Sequence, residues 1–335
     1  VPGAALLSRS FGALLVANVC FGYAFSSFFL LPIYMVDRLG AGPVAVGRVF
    51  AIHSVVVVLV LPLTGAAVDR WGRRDFLTAG ALVMALASLG YGAVDAVGPL
   101  LYGLRVVQAL AFALVFAAGG ALAVDLAPPE RLGQAIGIYG VSFLSMNAIA
   151  PAAVELLVPR VGWARAFALA AVAAGLCAGL SRQIREPRSA EGRRGDDTGL
   201  FAMATRFSTL RMLLVIALVG SAMIAVFAFY QLYARQLGIE RVSVFFVAYA
   251  ATAVIVRVGF GHWIDRLGRR RVSIAALVLY VVVMGSFVSL DRIGLPLLGV
   301  GMGIAHGVFY PSFNAVAVGA VALGERGKVM ALFQA

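Results

Sequence analysis

Several side chains able to bind a solute or a proton stand inside apolar stretches of this 335-residue chain. Arg105 and Gln108 lie in Leu101-x-x-x-Arg105-x-x-Gln108-Ala109, and on a helix they share one face with Phe112. An arginine in an apolar run is costly unless it faces a wet cavity or a partner; the other reading is that it snorkels to the outer interface. A second stripe, His306, Tyr310 and Asn314, recurs every fourth residue. The glycines of Gly299-Val-Gly-Met-Gly303-Ile-Ala-His-Gly307 keep that helix slim and bring His306 near the bilayer midplane. A histidine there titrates close to neutral pH, which makes it a candidate for proton coupling or solute contact; the bland alternative is a hydrogen bond to a neighbouring helix. His53, among valines, is read as packing.

Other chemistries find no support. The chain has no G-x-x-x-x-G-K-[ST] phosphate loop, no H-E-x-x-H and no G-x-S-x-G, so neither ATP hydrolysis nor a hydrolytic enzyme is expected. Cys20 and Cys177 are far apart and fall inside apolar runs, so no disulfide framework, metal site or cofactor is expected. No Asp or Glu stands in the middle of an apolar run; the nearest are Asp125 and Glu155, toward the ends of theirs, and Glu155 is read as a partner for Arg160 or Arg165. The net charge of +12 does not indicate nucleic acid, because the arginines sit in the connections between apolar runs.

These groups must be positioned by helices in lipid. The chain is 62% hydrophobic and 13% charged, against about 25% charged in a soluble domain. At about twenty apolar residues per crossing, it holds ten spans and the start of an eleventh: 11–35, 43–68, 75–95, 99–124, 133–158, 163–181, 210–234, 242–264, 272–290 and 294–322. Short polar elbows separate them, except at the arginine-rich stretch 182–209, which reads as a cytoplasmic linker between an N-terminal half, 1–181, and a C-terminal half, 210–335. Eighteen of the 27 Lys and Arg lie on the linker's side, seven on the other, and Arg105 and Arg257 lie within spans. The positive-inside rule then puts the linker and the N-terminus in the cytoplasm, in a multi-pass plasma-membrane protein.

Two elbows repeat each other. Gly65-x-x-x-Asp69-Arg70-x-Gly72-Arg73-Arg74 returns 196 positions later as Gly261-x-x-x-Asp265-Arg266-x-Gly268-Arg269-Arg270. Pro99-Leu-Leu returns as Pro296-Leu-Leu, and Glu130-Arg131 as Glu325-Arg326. A repeat of this length means a duplicated half. By the same offset the chain stops at the start of span 11, so the second half is read as truncated. Asp69 and Asp265 can cap the start of a neighbouring helix, and Gly65 and Gly261 allow two backbones to approach.

The paired elbows resemble the signature between spans 2 and 3, and 8 and 9, of the major facilitator superfamily of transporters, and Leu101 to Ala109 resembles its span-4 motif, with alanine where glycine is usual. The resemblance implies an all-α bundle of two pseudo-symmetric six-helix halves that carries a small molecule by alternating access. It implies that Asp69 and Asp265, with their arginines, latch the cytoplasmic side, and that Arg105 assists proton transfer or binds substrate; its counterpart in the second half is Met302. The cavity, lined in the family by spans 1, 4, 7 and 10, would here include Asn18, Tyr23, Ser26, Ser221, Tyr230 and Gln231, with Phe21, Phe25 and Phe29 nearby. That lining suits an amphipathic or weakly polar solute more than a highly charged one. Proton-coupled efflux by a monomer is the first expectation. The antiporter branch's span-5 glycine motif survives here only as Gly137 and Pro151, which keeps uptake or facilitated passage of a sugar or organic acid as the alternative. A non-transporting receptor on the same fold is the third.

Overall fold

Residues 8–186 and 207–319 are described in the computed structural model, apart from the side chains at 62, 65, 66, 69–71, 207, 208, 260–265, 318 and 319. Each of the ten predicted spans is helical over its described residues, end residues aside, and the start of the eleventh lies outside them. The first is α1 (Arg9–Ser26) and α2 (Leu31–Leu39), joined through a 3-10 turn; then come α3 (Pro43–Trp71), α4 (Arg73–Gly90), α5 (Pro99–Asp125), α6 (Leu132–Val161) and α7 (Trp163–Ser181). The later helices are α8 (Phe207–Gln236), α9 (Ser243–Leu267), α10 (Arg269–Gly285) and α11 (Gly294–Gly319). No strand occurs among the described residues. Among the described residues eight segments are long and apolar enough to cross a bilayer, so this is an integral membrane protein.

The elbows are tighter than six polar residues suggest. α3 runs on to Trp71 and α4 starts at Arg73, leaving Gly72 alone as the turn, with φ +100°. Gly268 does the same between α9 and α10 with φ +87°. Only glycine adopts such a backbone without steric cost, which explains the glycine three positions after each motif aspartate. Helix α3 has 29 residues, about 43 Å at the α-helical rise, so its charged last turn can clear a hydrocarbon core of about 30 Å while remaining helical.

The chain forms two compact units, Val1–Arg193 and Arg194–Ala335. In the first, α4 packs on α5 and α7, α3 on α5, and α1 on α6 and α7. Small residues set these distances: a Cβ at Gly80 would stand 2.8 Å from Val115 and 3.0 Å from the Ala111 carbonyl oxygen. At one end Phe28 stacks on Phe167, and the Tyr34 hydroxyl donates to the Val94 carbonyl at 2.8 Å. In the second unit α11 packs on α9 and α10. Gly299, Gly303 and Gly307 lie over the carbonyls of Phe245, Tyr249 and Ala253 in turn, so α9 and α11 run parallel, in register, along a seam without side chains on one side.

Candidate functional site

Arg105 does not reach the interface. It is 5% exposed, and its Nη1 donates to Gln108 Oε1 at 2.9 Å. The same oxygen accepts from the Tyr91 hydroxyl at 2.8 Å, and Arg105 Nε points to the Val49 carbonyl at 3.5 Å. The guanidinium lies 5.0 Å from the Phe50 ring centroid. One amide oxygen between two donors thus makes an intramembrane charge tolerable. Tyr91, which contributes a donor from the end of α4, carries no sequence signal of this role.

The second cluster lies one to two turns along. His53 sits among Phe25 of α1 and Phe112 of α5, at centroid distances of 5.7 and 6.1 Å, and Phe25 touches Phe143 of α6 at 5.9 Å. Phe25 and Phe112 are 4.6 Å apart, and Phe116 stacks on Phe112. His53 Nε2 is buried without a hydrogen-bond partner among the described residues. In sequence His53 reads as packing because valines surround it. The valines divide between two faces, however: Val55 and Val58 are exposed, while Val46 and Val49, with Phe50, are buried. The buried positions 46, 49 and 50 continue at helical spacing to 53, and that periodicity was the available signal.

Asn18 and Ser26 are tied into the bundle. Asn18 Nδ2 donates to the Tyr139 carbonyl and Ser142 Oγ at 2.9 and 2.8 Å, and Ser26 Oγ donates to Asn147 Oδ1 at 2.8 Å. Tyr23 is half-buried, one turn before Ser27, whose hydroxyl bonds its carbonyl. In the second unit the Tyr230 hydroxyl donates to the Val242 carbonyl at 3.0 Å, beside Phe245 at 4.4 Å, and Gln231 Nε2 donates to the Phe227 carbonyl at 2.6 Å. Ser221 is exposed.

His306, Tyr310 and Asn314 do share one face of α11. His306 Nδ1 and the Tyr280 hydroxyl of α10 are 3.0 Å apart, and the His306 ring lies 5.6 Å from Tyr249 of α9 and 5.8 Å from Tyr310. Arg257 of α9 stands over Tyr310, 5.5 Å from its centroid. Three tyrosines and an arginine thus converge on this histidine.

The side chains of Asp69, Arg70 and Asp265, and the surroundings of Gly65 and Gly261, lie outside the described residues. Around them the first elbow is locked from two sides. Arg73 forms an ion pair with Asp125, at the end of α5. The Glu186 carboxylate accepts from the backbone N–H groups of Arg73 at 2.8 Å and Arg74 at 3.3 Å, capping the start of α4 where the helix dipole favours an anion. Arg74 Nε reaches its neighbour Asp75 at 3.3 Å. Glu186 lies in the stretch read from sequence as linker, where an isolated acid among arginines gave no sign of a distant helix start. At the second elbow Arg266, Arg269 and Arg270 are exposed.

Over 136 residues, 39% of the chain, it is 28% identical to the riboflavin transporter RibZ of Clostridioides difficile (strain 630), and the match spans 28% of that protein's length. Among solved structures it is similar to a variant of the nucleoside transporter NupG (TM-score 0.79, 15% identity, 97% of this chain and 86% of that one). It is also similar to a D-xylose–proton symporter (TM-score 0.74, 13% identity, 97% and 85%). At these identities the structural likenesses show the fold. The family model of the Major Facilitator Superfamily matches residues 13–335. With paired elbows, eight membrane-spanning helices among the described residues and that match over nearly its whole length, the chain belongs to the Major Facilitator Superfamily of membrane transporters.

Proposed function

We propose that the chain exports a small, flat, amphipathic organic molecule in exchange for protons by alternating access. The observation that carries the reading is the ring cluster on α1, α3, α5 and α6 around a histidine nitrogen with no partner among the described residues. Aromatic faces accept a flat ring, and one buried unpaired nitrogen asks for one polar group on it. The riboflavin transporter of C. difficile is named for a flat heterocycle, which accords with this lining. With no Asp or Glu in mid-span, a coupling proton would ride on His53 or His306. Asp69 and Asp265, with Gly65, Arg70, Gly72, Arg73, Arg74, Gly261, Arg266, Gly268, Arg269 and Arg270, would form the cytoplasmic gates; Arg105, Gln108, Asn18, Tyr23, Tyr230, Gln231, His306, Tyr310 and Asn314 would shape the transport path. The stretch 182–209 would join the halves in a monomer of the plasma membrane, with the N-terminus in the cytoplasm.

Accumulation of dyes, drugs, flavins and sugars in everted vesicles, with and without a protonophore, tests the reading. We expect accumulation of flat heterocycles that the protonophore abolishes and that His53→Ala or His306→Ala uncouples. Accumulation indifferent to both the protonophore and the histidines would overturn proton exchange. The eroded glycine motif of α6 favours one second reading, uptake of a metabolite; it predicts the same solutes accumulating in right-side-out vesicles instead. A receptor on this fold would tolerate Asp69→Asn, whereas transport would be lost in that variant at normal membrane insertion.

A further inference from the structure

The two arginines inside spans are treated differently by their surroundings. Arg105 has an amide oxygen at 2.9 Å, a carbonyl at 3.5 Å and a phenyl face. Arg257 has the ring of Tyr310, and its Nε is buried without a hydrogen-bond partner among the described residues. It lies ten residues before the end of α9, about 15 Å from the elbow, too deep to treat as an anchor at the headgroups. A half-buried guanidinium whose Nε is left without a partner at that depth is costly for a membrane protein to keep.

The sequence shows why it is there. Phe245, Tyr249, Ala253 and Arg257 form one stripe of α9, each four residues from the last, and the first three meet Gly299, Gly303 and Gly307. The next position on α11 is Pro311, flanked by Tyr310 and Asn314. The close seam therefore ends where Arg257 begins, and a proline inside the helix there removes one backbone hydrogen bond. Asn314, a turn beyond Tyr310, has its Oδ1 buried and likewise without a partner among the described residues. A buried donor and a buried acceptor thus flank one tyrosine and do not satisfy each other.

We infer that Arg257 and Asn314 form a binding site for an organic carboxylate that carries an O–H or N–H donor beside the carboxyl group. The guanidinium takes the carboxylate, Asn314 Oδ1 accepts from the neighbouring donor, and Tyr310, with Tyr249 and Tyr280 around His306, lines the place of the ring. This deepens the proposed function and rests on it for the solute's passage: the flat molecule carried is a singly charged organic acid.

The test uses the full-length protein in zwitterionic-lipid nanodiscs, so that no anionic headgroup competes, and reads binding by tryptophan fluorescence and thermal midpoint. The probes are mandelate (anion and donor), phenylacetate (anion alone) and mandelamide (donor alone). Mandelate should bind at least about tenfold tighter than mandelamide, and more tightly than phenylacetate. Arg257→Gln should erase the preference for the acids, with Arg257→Lys keeping part of it; Asn314→Leu, which leaves the arginine in place, should erase the preference for mandelate over phenylacetate. Equal binding of acid and amide, absence of carboxylate binding, or acid binding unchanged in Arg257→Gln would overturn the site. Binding is read without flux: a protein that moves neutral solutes but binds no carboxylate keeps the transport reading and loses this one. A protein that binds mandelate but moves nothing does the reverse.

Discussion

Replacing Gly303 by alanine should loosen the α9–α11 seam, and the size of the effect follows from the geometry. The added Cβ would stand 2.5 Å from the Tyr249 carbonyl oxygen, 2.8 Å from Thr252 Cβ and 3.1 Å from the Ala253 nitrogen. Two of these three are backbone atoms, so no rotamer change relieves the contact. Reaching ordinary van der Waals distance requires the helices to part by about 1 Å, which forfeits a quarter to a half of the dispersion attraction across the seam. Overpacking of this kind costs about 1–3 kcal/mol. Alanine also gains about 0.5–1 kcal/mol over glycine in a helix, and this must be subtracted. Gly220→Ala in α8 is the control, because nothing lies within 4 Å of a Cβ there. The propensity gain is common to both variants, so their difference isolates the steric cost of about 1–3 kcal/mol. Unfolding in mixed micelles at increasing dodecyl sulfate fraction measures it. Gly303→Ala as stable as Gly220→Ala would refute both the parallel register and the close approach.

Two further outcomes follow from the hydrogen-bond geometry. Removing the Glu186 carboxylate as Glu186→Ala should cost about 0.5–2 kcal/mol, with Glu186→Gln costing less; hydrogen exchange should quicken at the Arg73 and Arg74 amides and stay unchanged in the first turn of α10, and uniform quickening would count against a local cap. Around Arg105, Tyr91→Phe leaves Gln108 Oε1 with one of its two donors and should cost about 0.5–1.5 kcal/mol, whereas Gln108→Leu strands both the charge and the phenol and should cost about 3–5 kcal/mol. Equal losses in chemical denaturation would mean that the amide is not the centre of that network.

The spans were legible because lipid imposes a single requirement, some twenty apolar residues in a row, and composition reports it directly. The elbows were legible because a duplication printed them twice. What the sequence concealed is which face of each helix points where. His53 was hidden by the valines that follow it: the run 55–60 reads as one apolar block, although Val55 and Val58 face outward and His53 continues the buried face of Val46 and Val49. Lipid-facing and bundle-facing residues are equally apolar in a membrane, so hydropathy does not separate them as it does in water. Glu186 and Tyr91 were hidden for another reason. Each acts 17 or more residues away in sequence, on Gln108 or on the amides of Arg73 and Arg74, and no local pattern encodes such a contact.

The duplicated halves have diverged in how they treat their charges, and the direction of the divergence bears on function. In the first unit the elbow is held by the Arg73–Asp125 pair and the Glu186 cap, and the span arginine is bonded to Gln108. In the second unit the position matching Arg105 is the buried Met302, and the arginine within a span is Arg257 of α9, whose Nε has no hydrogen-bond partner among the described residues. An unsatisfied buried group destabilises its own half by an amount comparable to a lost charged hydrogen bond, about 1–3 kcal/mol. Selection for stability alone would remove Arg257 by a single substitution to leucine or methionine. That such a residue stands at the end of a glycine seam, over Tyr310 and near an asparagine whose Oδ1 is likewise without a partner among the described residues, is what a site that waits for its ligand requires. The same argument sets the sign of one more comparison: Arg257→Met should raise the thermal midpoint of the empty protein while abolishing its response to mandelate, and a variant less stable than the parent would mean that the arginine is held by a partner after all.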